Sequence, residues 1–148
     1  MRTWFAFATA LMLPQFAGAT SLDEIFKNIR TCSFNQFYYS PWDANKGHTY
    51  FANRKPVEES KNDSYVFKVS DTLFGLPVVE IQVPGTWDFH AVTFDVPLKE
   101  SQKVLLKKFG STFPRSKASL AGDRPALEVS TTNPNQSILY CNEKEGGL

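Results

Sequence analysis

Histidine and cysteine are scarce in this chain, two of each in 148 residues. His48 and His90 together fall short of the three or four protein ligands that a zinc centre takes, so the sequence asks for no metal. No G-x-S-x-G elbow marks a serine nucleophile. No glycine-rich phosphate or dinucleotide loop occurs, so no cofactor is expected either. Carboxylate neighbours such as Glu58-Glu59 fall in a polar stretch, without the cleft that paired acids of a glycosidase need. Neither sign of charge prevails, with 16 Lys and Arg against 15 Asp and Glu. That balance argues against a nucleic-acid partner, which favours a basic excess. It also gives no electrostatic reason to lie on an anionic membrane. Long apolar runs are missing beyond the first residues, so no membrane span is expected.

The exception sits at the start. Arg2 supplies a positive end, and Trp4 to Leu13 form an apolar stretch too short for a bilayer. Pro14 breaks it, and Ala17-Gly18-Ala19 fits the small-x-small cleavage pattern. The expectation is a signal peptide over residues 1–19, cleaved after Ala19, and a single domain over residues 20–148. That places the protein in the periplasm or outside the cell. Cys32 and Cys141 both fall in the mature part, and in an exported chain an even count reads as a disulfide. Two free thiols acting as a redox pair are the alternative, which the missing C-x-x-C spacing disfavours.

Hydrophobic periodicity then sets out the elements. Ser21 and Glu24 form a capping box, and Leu22, Ile25, Phe26 and Ile29 recur at helical spacing, predicting a helix to about Thr31. The aromatic run from Ser33 to Tyr39 predicts a strand, and Tyr50-Phe51 a short one. The polar stretch from Asn53 to Ser64 predicts a surface loop. Residues 65–69, 79–83 and 87–96 alternate as strands, the last two joined by a turn at Pro84-Gly85-Thr86. A second helix opens at Pro97, carries Leu98, Leu105 and Phe109 on one stripe, and stops at Gly110. Residues 111–116 suggest a further strand broken by Pro114, then a loop to Arg124. Residues 126–130 and 137–141 close the pattern across a turn at Asn133-Pro134, and the tail from Glu143 frays. The sum is an α+β fold: an antiparallel sheet of five to six strands, two amphipathic helices on one face, order α-β-β-β-β-α-β-β, one disulfide.

Candidate functional residues are few. Asp88 and His90 stand two apart, so on a strand they share a face and pair as ligands or as an oriented imidazole. The plainer alternative is the polar outer face of a hairpin whose Trp87, Phe89 and Ala91 point inward. His48 is expected simply to be exposed. Aromatics crowd between Phe34 and Phe51. Phe34 and Phe37 suit a core, whereas Tyr38, Tyr39 and Trp42, with Trp87 at the Pro84-Gly85 turn, are candidates for a binding surface. In layout the chain resembles the small periplasmic inhibitor and immunity proteins of Gram-negative bacteria, a likeness of size and class that carries over no residue. It implies a non-catalytic exported protein acting on another exported protein. A small-ligand or glycan binder is the alternative, and a hydrolase built on Asp88 and His90 ranks last.

Overall fold

A computed structural model describes residues 20–34, 36–43, 47–59, 64–84, 89–120 and 122–142. The expected leader over residues 1–19, the Gly85-Thr86 turn and the tail from Glu143 lie outside the described residues.

The fold is α+β, built on one antiparallel sheet. Its strands are β1 (Glu58–Glu59), β2 (Ser64–Leu73), β3 (Leu76–Pro84), β4 (Phe89–Phe94), β5 (Ala126–Val129) and β6 (Ser137–Asn142). They lie in the order β1-β2-β3-β4-β6-β5, with β1 a two-residue edge. Register follows the hydrophobic alternation. Phe67 stands opposite Ile81, Ile81 opposite Val92, Val92 opposite Leu139, and Leu139 opposite Leu127. That row of apolar side chains on one face is the floor of the core, and all five are buried.

Gly75 and Pro77 give the β2–β3 connection the look of an interruption in sequence. It is a tight hairpin instead. Phe74 and Gly75 both take positive φ, 56° and 81°, the backbone of a two-residue turn matched to strand twist. Strain at Phe74 is offset by its surroundings. Its N–H donates to Asp23 Oδ1 at 2.7 Å, and its ring meets Phe109 edge-on at 4.9 Å.

Two helical segments cover the core face. α1 (Leu22–Ile25) is a single turn, and Ile29–Thr31 continues as a separate 3₁₀ turn. The expected ten-residue helix is therefore broken, although its stripe of Leu22, Phe26 and Ile29 is buried as the spacing required. Weak helix formers at Asn28, Ile29 and Thr31 leave too few bonds to hold a longer helix. The capping box is half made. Ser21 accepts from the Glu24 N–H at 3.3 Å, whereas the Glu24 carboxylate pairs with Lys27. α2 (Leu98–Phe109) matches its expected span and ends at Gly110, whose φ of 69° supplies the left-handed cap. Leu105 and Ser101 are its buried contacts, and Ser101 Oγ lies 2.6 Å from Ser137 Oγ on β6. A four-residue helix, α3 (Lys117–Leu120), occupies what sequence marked as loop.

Three further expectations are corrected. Ser33 to Tyr39 forms no strand among its described residues, because Gln36 adopts a φ of 52° and breaks the extended run. Tyr50-Phe51 lies in a 3₁₀ turn, Thr49–Phe51, capped by the His48 side chain. Residues 111–116 are irregular, with Phe113 at a φ of 49°, and its carbonyl accepts the Leu127 N–H at the sheet edge at 2.7 Å.

The disulfide is present. Cys32 and Cys141 are bonded, their Cα atoms 5.5 Å apart, tying the 3₁₀ turn after α1 to β6. No helix among the described residues is long and apolar enough to cross a membrane.

Candidate functional site

The aromatic run that makes no strand folds as an aromatic wedge. Phe37 is its centre, with Phe26 at 5.4 Å, Phe51 at 5.1 Å and the His48 ring at 5.2 Å. Once Phe37 is inserted, the chain must turn back, and it does so through a closed loop. The His48 N–H donates to the Tyr38 carbonyl at 2.9 Å, pinning the loop at its base. Gly47 makes that closure feasible: a Cβ there would stand 3.0 Å from Ser40 N and 3.3 Å from Tyr38 O. Near the tip, Ser40 Oγ accepts the Asp43 N–H at 3.3 Å.

This loop presents Trp42, which is 93% exposed. Burying an indole is worth more than burying almost any other side chain, so one held in water on a pinned loop is a feature to explain. Beside it lies a concavity of about 400 Å³. Tyr39 and Phe51 furnish aromatic surface, Ser40, His48 and Asn53 polar groups, and Arg54 and Lys55 a cationic rim. Tyr39 is half-buried, packed edge-on against Tyr65 at 4.9 Å and Phe67 at 5.1 Å, so its ring is fixed.

The polar part of the rim is held by a short relay. Arg54 Nε donates to the Tyr50 carbonyl at 3.1 Å, and its guanidinium lies 4.4 Å from the Tyr50 ring centre. The Tyr50 hydroxyl donates to Asp71 Oδ2 at 3.0 Å. Burial, and then the Asp71 carboxylate, push the Tyr50 phenol well above its ordinary range, so it stays a donor at any physiological pH. His48 Nδ1 accepts the Tyr50 N–H at 3.1 Å, which requires the neutral ring, and burial lowers its pKa accordingly.

Tyr39 lines the concavity, whereas Trp42, one residue beyond the lining Pro41, stands exposed without lining it. Tyr38 adjoins them through its backbone, its side chain half-buried, but it does not line the concavity. Trp87 and Asp88 lie outside the described residues. His90 does not stand on the outer face that the plainer sequence reading gave it, and its pairing with Asp88 lies outside the described residues. On β4 it shares a face with Val92 and Phe94, the core face, and is only 5% exposed. Its Nε2 lies 2.7 Å from the Phe37 carbonyl, and its ring is 4.2 Å from that of Phe34 and 6.0 Å from that of Phe37. The orientation expected for the alternating pattern is thereby inverted: Ala91 lies on the opposite face, as alternation requires. Among the described residues no three His, Cys, Asp or Glu side chains cluster as metal ligands.

Sequence reasoning missed Gly47, His48 and Arg54 as lining of the concavity. Gly47 carried a signal in its glycine, but the close approach it permits is made to residues seven to nine positions earlier and cannot be read locally. Compared with known proteins, the chain matches no family model, no curated protein and no solved structure.

Proposed function

We propose that this is an exported, non-catalytic binding protein whose contact with a protein partner is centred on Trp42. The observation that carries the reading is a single indole, 93% exposed, on a loop closed by the His48–Tyr38 hydrogen bond and Gly47. Trp is over-represented among residues that dominate binding energy, and this indole stands ready on the surface, next to a backbone held by the Ser40–Asp43 hydrogen bond. A buried disulfide supports an oxidising compartment, which is where the leader-like N-terminus would deliver the chain. Inhibition of, or immunity to, a secreted enzyme is the concrete form of this role.

The test is affinity capture from periplasmic or extracellular fluid, followed by titration of the purified partner against wild type and Trp42→Ala. The expected cost is about 2 kcal/mol, roughly 30-fold in Kd, with an unchanged melting temperature. A partner bound within twofold by both proteins would remove Trp42 from the interface and overturn the reading.

The concavity beside Trp42 favours a second reading, a small-ligand or glycan site. Its volume of about 400 Å³ suits a small molecule, and its aromatic and cationic lining suits a ring bearing a negative group. Thermal-shift screening over sugars, lipids and peptides decides it, since a ligand at 100 times its Kd adds about 2.7 kcal/mol.

A further inference from the structure

The near-zero net charge conceals a segregation. Between Pro97 and Pro125 the sequence holds seven lysines and arginines against two acids, although the whole chain carries only +1. Two of the seven are already paired, Lys108 with Asp23 and Arg115 with Glu128. Lys99, Lys103 and Lys107 are not, among the described residues, and they repeat every four positions on α2. Consecutive ammonium stems therefore leave one helix face about 6 Å apart. They line a shallow groove of about 560 Å³ together with Glu100 and Val104.

A second concavity lies just past the C-terminal end of the same helix. One turn beyond Lys107 the helix ends at Gly110, and Gly110 and Ser111 form part of the rim of a cavity of about 410 Å³. Arg30 and Arg124 both line it, Ser111 and Ser116 add hydroxyl-bearing residues, and no carboxylate does. Neither arginine has a carboxylate partner among the described residues. Both sit on fixed backbone. Arg30 lies between buried Ile29 and the disulfide at Cys32, and Arg124 between buried Pro125 and Asp123, whose N–H donates to the Ala118 carbonyl at 2.9 Å. Both arginine side chains are exposed at this concavity, and an anion seated there would meet two cations with no lining carboxylate to oppose it.

We infer that the α2 ridge and the Arg30–Arg124 cavity together form a binding track for an extended acidic polysaccharide, the cavity taking one anionic group and the lysines its neighbours along the chain. The alternative polyanion, nucleic acid, fits less well. Single strands are held by stacking on exposed aromatics, and among the described residues the only aromatic lining either concavity is Phe113, which is buried. The disulfide also points to an oxidising compartment, outside the cytosol and nucleus.

The experiment measures binding of the full chain to heparin, a sulfated polysaccharide, and to polygalacturonate, a carboxylated one, at rising salt. The expected result is binding to at least one of them that weakens steeply with salt. Arg30→Gln/Arg124→Gln should lose about tenfold or more in affinity at an unchanged melting temperature. Lys27→Gln/Lys68→Gln removes the same charge from ion pairs elsewhere and should stay within about twofold. Arg124→Gln alone serves if the double variant does not fold, with a loss of severalfold. Binding to neither polysaccharide, equal weakening by both double variants, or duplex DNA binding at least as tightly would overturn the proposal.

Discussion

At the scale of single residues, the two histidines show how little a residue type says without its neighbours. His48 lies in a glycine-containing turn and looks exposed in sequence, yet it caps a 3₁₀ turn through Nδ1 and packs its ring on Phe37. Burial lowers its pKa, so the unfolded chain binds the proton more readily than the folded one. The stability this contributes is present above the ordinary imidazole value and is lost as pH falls through the lowered one. We expect unfolding by urea to show declining stability between neutral and mildly acidic pH. His48→Asn keeps a side-chain acceptor for the Tyr50 N–H but cannot titrate there, so it should flatten that slope. A slope equally steep in the variant would assign it to another group. Tyr140 is the contrasting case. Burial and its hydrogen bond to Glu128 at 2.6 Å push its phenol up to about 12, which leaves it neutral throughout this range.

At the scale of elements, the β2–β3 hairpin carries more than strand pairing. Asp23 of α1 accepts from Phe74 N–H, and the Phe74 ring lies under Phe109 and 4.9 Å from Lys108 Nζ, both on α2. The turn thus joins both helical segments to the sheet. Gly75 holds a φ of 81° with nothing within 4 Å of where a Cβ would stand, so substitution there meets conformational strain alone. Gly75→Ala should cost about 1–2 kcal/mol in chemical denaturation, and Gly75→Asn, which tolerates the left-handed region, visibly less. Equal costs would mean that the strain lies elsewhere in the turn. The same hairpin shows where sequence was legible. The Ile81–Val83 alternation and the stripe of α2 predicted their elements, since each reflects one buried face, but a register shift between Val78 and Glu80 buries Val78 where the alternation pointed to Val79. The Phe74-Gly75 turn was hidden because a bulky residue at positive φ is disfavoured locally and is stabilised only by tertiary partners. The run from Phe34 to Tyr39 misled for a related reason. Aromatic density marks a strand or a core wedge equally, and the choice depends on Phe26, Phe51 and His90, which are remote in sequence.

At the scale of the whole molecule, the pairing of Cys32 with Cys141 decides which surfaces exist. Closing a loop with a sequence separation of 109 fixes the 3₁₀ turn after α1 on β6. The turn in turn carries Phe34 and Phe37 toward the base of the Trp42 loop, and on its other side it sets Arg30 in the basic cavity. One covalent bond therefore underlies both proposed surfaces. The chain-entropy model credits a loop of this size with about 4–5 kcal/mol, a large part of the stability of a domain this small. Both cysteines are buried within the core cluster, so a reductant reaches the sulfurs only when the fold opens. Native protein held in dithiothreitol should therefore resist thiol alkylation over times in which denatured protein is modified at both cysteines. Cys32→Ala/Cys141→Ala should lose about 2–5 kcal/mol in urea unfolding. Rapid modification of the native protein would show that the 3₁₀ turn lifts away locally. Arg30 would then be presented by a segment that moves, and the fixed-backbone argument for the basic cavity would fail.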